Sequence, residues 1–325
     1  PARRRGRLGR VKRARSDRQP WRAALVGIVL IAACDGAPQA PTPPVRFMHT
    51  LAPVETAALD ELLATRADPV ERTLLPFSRA EAVLAATLDR ADACPDLLRI
   101  DATWLPALAD RLAPPPPELA ARAWLPEARE LATWGGALVA APMSLDGLVL
   151  IRAASTPAPA AWPPRDLAAL DRAAAAMTTG ARFGLGLRVD GYWLVPFLRG
   201  HGAEVADGER GTLGIDRVAA EDALAELAAL FARGIAAPPT APGAEAETEA
   251  QRFRAGALAI LISGPWAYPA LGTVDGGRLG GLAIDPLPGA PRGAQLLVVP
   301  RCAAAPSRAW ALAAALTAPT VQAAW

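Results

Sequence analysis

The chain has 325 residues, 52% hydrophobic and 20% charged, enough for two lobes and a large core, which argues against disorder for the bulk of it. The formal net charge of +2 conceals a split: residues 1–22 hold 10 Lys/Arg and one acid, and the remainder holds 24 Arg against 31 Asp/Glu, a balance of −7. No basic face survives outside the leader, so a nucleic-acid partner is disfavoured.

The leader opens with the basic stretch RRRGRLGRVKRARSDR and continues into the apolar run AALVGIVLIAAC. About a dozen apolar residues fall short of the roughly 20 needed to span a bilayer, and small residues before a cysteine fit an export signal. Ile31-Ala32-Ala33-Cys34 resembles the bacterial lipoprotein box, in which the cysteine thiol takes a diacylglyceryl group and becomes the new N-terminus. An ordinary signal peptide or an uncleaved anchor are the other readings. Residues 1–34 are therefore expected to be a lipoprotein signal and the Pro-rich 35–44 a tether, with the body exported to the periplasm or the outer face of the cell membrane. With Pro rather than Met at position 1, the leader is read as starting past a native start.

Past the tether, strand and helix patterns alternate. VRFMHTL (45–51) reads as a strand and PVETAALDELLATR (53–66) as a helix, with Pro and Glu55 in its first turn. VERTLLPF and RAEAVLAATLDR repeat the pair, and PDLLRID (95–101) is a third strand. This order argues for a parallel sheet covered by helices. GALVAAPMSLDGLVLIR (136–152) reads as two strands broken at Pro142, and the Pro-rich corner STPAPAAWPPRD marks a boundary by composition. A second α/β set follows: strand ARFGLGL, helix DGYWLVPFLRGHG, and a helix over 217–233 with Asp216 as N-cap and Gly234 as stop. A loop at 236–250 leads into EAQRFRAG and then the apolar strand ALAILIS, which ends at Gly264-Pro265-Trp266 with Tyr268 just beyond. GGLAIDPLPG and AQLLVVP are further strands, and the C-terminal stretch is helical.

Catalytic and metal signatures do not stand out. His49 and His201 have no partner at metal spacing, GLGLRVDG lacks a phosphate-binding pattern, and no Gly-x-Ser-x-Gly elbow occurs. The expectation is a binding protein, not an enzyme, without cofactor or metal.

The block FRAGALAILISGPWAYPALGTVDGGRLGGLAIDPLPGAPRGAQLLVVPRCAAAPSRAWALAAALTAP resembles the extracellular solute-binding proteins of ABC importers, in particular their sugar-binding class. MHTLAPVETAALDELL, PDLLRIDATWLPALADRLAP, APMSLDGLVLIR and GYWLVPFLRGHGAEV resemble the same family in the same order, covering nearly all of 45–325. The hinge strand departs from it with Leu150 and Ile151 where aromatics are usual, RGHGAEV lacks the usual Gly pair, and the family continues past residue 325 with more helices.

The resemblance implies an α/β, two-lobed periplasmic-binding-protein fold of type II kind, with a hinge and an interlobe ligand cleft. Lobe I would be 45–145 plus 294–325, and lobe II 146–293. The implied role is a lipid-anchored receptor that closes on a mono- or oligosaccharide and delivers it to the membrane subunits of an ABC permease. A non-sugar solute such as a phosphodiester or polyamine, or a surface lipoprotein enzyme, are the alternatives. Trp266 would offer its face to a sugar ring, or else be a core residue. Of Tyr192 and Trp193 one would face the cleft, because adjacent helical residues point about 100° apart. Asp101 and Asp146 would each accept from two sugar hydroxyls, or else serve as a helix N-cap and a turn residue. His49 is a further site candidate. The implied returning strand would bring Cys94 and Cys302 to one sheet edge, either bridged or as two separate small residues.

Overall fold

The computed structural model describes residues 42–325 apart from 91, 208–211, 216, 240–247, 275–276, 279–280 and 324–325. The signal segment, Cys34, tether residues 35–41 and the expected N-cap Asp216 lie outside the described residues.

The alternation in the first part of the body builds one sheet. Val70–Leu74, Val45–His49 and Leu97–Asp101 lie side by side and run parallel. Arg292–Pro300 arrives from the far end of the sequence and joins antiparallel, with Gln295 opposite Asp101 and Val298 opposite Leu98. Leu112–Ala113 and Ala141–Gly147 also pair with it. Successive strand residues point to opposite faces, and both faces here are covered. Val45, Phe47, Leu97, Leu297 and Val299 pack with Trp310 of helix Pro306–Leu316, while Leu98, Ile100, Leu296 and Val298 pack with Leu84 and Trp104.

The second sheet has the order Leu282–Pro286, Val149–Ala153, Leu258–Ser263, Phe183–Gly186. Helices Leu167–Met177, Gly191–Gly200 and Arg217–Ala232 cover it through Leu170, Phe197 and Leu227. Two of these helices start at aspartate caps: Asp166 accepts from the Ala169 N–H at 2.7 Å and Asp190 from the Tyr192 N–H at 2.9 Å. This is the two-lobed α/β architecture expected from the sequence.

The chain passes between the sheets at Leu148 and returns between Pro286 and Arg292. The two passages run together, since Gly147 pairs with Arg292 and Val149 with Pro286. A Cβ on Gly147 would lie 2.7 Å from the Pro291 carbonyl oxygen, so glycine is what permits the approach.

Two local expectations are corrected. Pro142 does not break a strand; it sits inside Ala141–Gly147 opposite Leu296, beside a register shift at Gln295/Leu296. Proline, which has no N–H to donate, is tolerated next to such an irregularity. The Pro-rich corner is likewise not the point of passage, because Val149–Ala153, which precedes it, already belongs to the second sheet.

A disulfide joins Cys94 and Cys302, with Cα atoms 6.0 Å apart and 208 positions between them in sequence. One cysteine precedes Leu97–Asp101 and the other follows Arg292–Pro300, and these strands are antiparallel neighbours. Buried Asp96 ties the same edge by accepting from the Arg46 N–H at 2.9 Å and the Ala305 N–H at 3.0 Å. Among the described residues, no helix is long and apolar enough to cross a membrane and no cluster of three metal-ligating side chains occurs.

Candidate functional site

The crossing between the sheets gathers most of the side chains that the sequence singles out. Asp101 ends its strand and splits its two oxygens between two tasks. Oδ1 caps the turn Ala102–Trp104, accepting from the Thr103 N–H at 2.9 Å and its hydroxyl at 2.6 Å. Oδ2 accepts from Gln295 Nε2 at 2.8 Å. The same amide nitrogen donates to Asp146 Oδ2 at 3.2 Å, so Gln295 links carboxylates from two strands. Asp146 is a strand residue opposite Gly293, not a turn residue. Its carboxyl is pushed above the usual carboxylate range, first by burial and then by the neighbouring Asp101 charge, with the Gln295 hydrogen bond and Arg99 pulling the other way.

Gly293 marks where the second lobe meets this pair. A Cβ there would run into Asp146 Oδ1 and would lie 3.3 Å from the Tyr192 hydroxyl oxygen. Tyr192 is held well above the ordinary phenol range by burial and by the charges of Asp146 and Asp101. Trp193, the next residue, turns inward: it is buried and donates its indole N–H to the Ile262 carbonyl at 2.8 Å. The expectation that one of the two faces the site therefore has a concrete geometry, with Tyr192 beside the acids and Trp193 behind.

Trp266 stands on the turn Pro265–Ala267 that follows strand Leu258–Ser263. Its ring centroid is 6.2 Å from Tyr192 and 6.0 Å from Trp193, at tilted and near-perpendicular angles. The ring edge rests on Gly264, where a Cβ would collide with Cη2 and Cζ3. Trp266 is nevertheless 43% exposed, so part of the ring stays open to solvent while the rest packs against the other two aromatics. Arg188 lies over Trp193 at 5.0 Å from the ring centroid.

Two buried groups were not singled out in the sequence. Gln295 is one. Arg99 is the other: it donates to the Thr50 hydroxyl at 2.9 Å and faces Glu55 at 3.6 Å. Burial lowers its affinity for the proton, while Glu55, Asp146 and Asp101 raise it. The available signal was a polar residue inside an otherwise apolar strand, LLRI and AQLLVV, since such residues are buried only with partners. Glu55 also does what its first-turn position suggests, accepting from the Ala52 N–H at 2.7 Å.

His49 is not brought to the pair as an open side chain. It is 1% exposed, and its Nδ1 accepts from the Leu51 N–H at 3.3 Å. Burial, followed by the Arg72 and Arg99 charges, pulls it down to about 4, so the ring is neutral at pH 7.

A site of this kind can do three things chemically. The carboxylates accept hydrogen bonds, the tyrosine hydroxyl adds a donor, and the half-open indole offers a flat apolar surface.

Residues 78–325 match the family model described as bacterial extracellular solute-binding protein. No curated protein sequence matches the chain. Among solved structures, the chain is similar to the GacH receptor of Streptomyces glaucescens GLA.O, solved unliganded and in complex with acarbose and an acarbose homolog. That match has 25% identity, a TM-score of 0.72, and covers 86% of this chain and 76% of that one. The maltotriose binding protein of Thermus thermophilus, bound with maltotriose, matches at 23% identity and TM-score 0.67, covering 86% of this chain and 78% of that one. An ABC transporter solute binding protein from Thermotoga lettingae TMO, bound with alpha-D-tagatose, matches at 18% identity and TM-score 0.70, covering 87% and 79%.

Proposed function

Because the chain belongs to the bacterial extracellular solute-binding proteins, we propose that it is the receptor of an ABC importer and binds a mono- or oligosaccharide between its two lobes. The observation that carries this reading is a half-open indole, Trp266, packed on Tyr192, whose hydroxyl meets Asp146 at Gly293, with Asp146 linked to Asp101 through Gln295 where the chain crosses between the sheets. A pyranose has an apolar C–H face and a rim of hydroxyls. The first suits an indole and the second suits carboxylates, which accept without competing donors. The sugar ligands of the GacH and Thermus proteins support the same class. Lobe I is proposed as 45–145 plus 294–325 and lobe II as 146–293, with the paired passages at Leu148 and 287–291 as the hinge about which they close. Delivery to a permease follows from the family and is part of the proposal.

Isothermal titration calorimetry against glucose, maltose, maltotriose and cello-oligosaccharides tests it. Saturable binding of at least one sugar is expected; a flat response to all of them removes the carbohydrate reading. With the sugar that binds, Trp266→Ala is expected to lose about 1–3 kcal/mol of affinity, the scale of an aromatic anchor. Its melting point should stay close to that of the parent, because the ring is half open to solvent. Unchanged binding with a much lower melting point would make Trp266 a packing residue.

Anchoring through a diacylglyceryl group on Cys34 is proposed from the Ile31-Ala32-Ala33-Cys34 box. Cys34→Ser should move the protein from the membrane fraction to the soluble one after export, since stable attachment takes two acyl chains or their equivalent. Retention of the variant with its leader uncut would indicate an anchor helix instead.

A further inference from the structure

Donors and acceptors around the Asp101–Asp146 pair do not balance. Gln295 is only 6% exposed, and its amide nitrogen is spent on both carboxylates, at 2.8 and 3.2 Å. Its Oε1 is buried with no hydrogen-bond partner. Turning the amide over would set a carbonyl oxygen against two carboxylates, so charge fixes its orientation. The group therefore presents Asp101 Oδ2, the Asp146 oxygens and Gln295 Oε1 as acceptors, against the two N–H donors of one amide and the Tyr192 hydroxyl nearby.

Charge is compensated only in part, because Arg99, whose charge acts on both Asp146 and Asp101, also serves Glu55. Arg99 is shared with Glu55 at 3.6 Å and hydrogen-bonded to Thr50. On the second-lobe side, Arg188 faces Asp190 at 3.4 Å and Arg199 faces Glu204 at 3.0 Å. Each of these arginines thus already faces a carboxylate outside the pair.

A sugar hydroxyl brings a single donor and no charge, so it serves one of these acceptors and leaves the negative charge of the pair unmatched. A protonated amine brings three N–H donors, no lone pair and a positive charge. We propose that the ligand is an amino sugar or amine-bearing oligosaccharide whose ammonium group is received by Asp101, Asp146 and Gln295 Oε1 while its ring lies against Trp266. This rests on the carbohydrate reading above and adds the charge of the ligand to it.

The test compares three β-1,4-linked disaccharides by calorimetry near pH 6: the glucosamine dimer, its N,N′-diacetylated form, and cellobiose. The free amine should bind about tenfold or more tighter than either neutral sugar, the range of a hydrogen bond to a charged group. Raising the pH until the amine loses its proton should bring the ratio of affinities toward one. Asp146→Asn and, separately, Asp101→Asn should shrink the same ratio, with thermal melting used to select the folded variant. Equal or tighter binding of cellobiose overturns the ammonium assignment and leaves the carbohydrate reading standing. Binding of none of the three, together with a flat response to the wider sugar panel, removes both. A preference for the amine that survives both Asp→Asn changes also overturns the assignment, because the charge would then be read elsewhere.

Discussion

Replacing both bridged cysteines, in Cys94→Ala/Cys302→Ala, is expected to cost about 2–4 kcal/mol of stability and to lower the melting point by about 4–8 °C. The disulfide closes a loop over 208 positions, and the chain-entropy relation assigns a loop of that length roughly 5 kcal/mol as an upper figure. The expected loss is smaller because Leu97–Asp101 and Arg292–Pro300 are also held by their ladder and by Asp96, which bonds the Arg46 and Ala305 amides. Urea unfolding of parent and variant, each fitted for midpoint and slope, measures the difference. Two reactive thiols in the unfolded, unreduced parent would mean that the bridge does not form. An unchanged midpoint would mean that the remaining contacts already hold the returning strand. The bridge matters at this place because Arg292–Pro300 enters the first sheet only after the whole second sheet has been built, and it is the strand that carries Gln295.

Stability is expected to fall as the pH drops through the His49 window. His49 is held at about 4 in the folded chain against about 6.5 when unfolded. Between those values the unfolded chain binds a proton that the folded chain refuses, so the unfolding free energy rises with pH across the window. The contribution is complete above about pH 6.5 and lost progressively toward pH 4, reaching at most about 3 kcal/mol for one group. Carboxylates begin to titrate at the lower end, so the comparison that isolates His49 is the slope for the parent against His49→Gln between about pH 6.5 and 5. The variant should show a flatter slope there. Equal slopes would mean that the imidazole accepts a proton in place, despite being buried and already accepting from the Leu51 N–H.

The candidate site was partly legible in the sequence. Trp266 after a Gly-Pro corner, and Asp101 and Asp146 near strand ends, are local patterns. Their neighbours Gln295 and Arg99 are not, since each looks like a lone polar residue in an apolar strand until the opposing strand is known. Gln295 meets Asp101 across 194 positions and Asp146 across 149, and strand register decides both meetings. A slip of one residue would turn Gln295 to the other face of the sheet.

By itself the sequence determined the alternation of strands and helices and the helix stop at Gly234, whose φ of 68° an L-residue adopts only with strain. These depend on interactions within a turn or two of the chain, so local pattern is sufficient. Only the tertiary structure decided which of Tyr192 and Trp193 faces the acids, whether Cys94 and Cys302 meet, that Pro142 lies within a strand, and that His49 is enclosed. Each of those outcomes turns on what a distant segment brings alongside. Burial and pairing across the two sheets are collective results of packing, so the properties of the residue alone do not specify them.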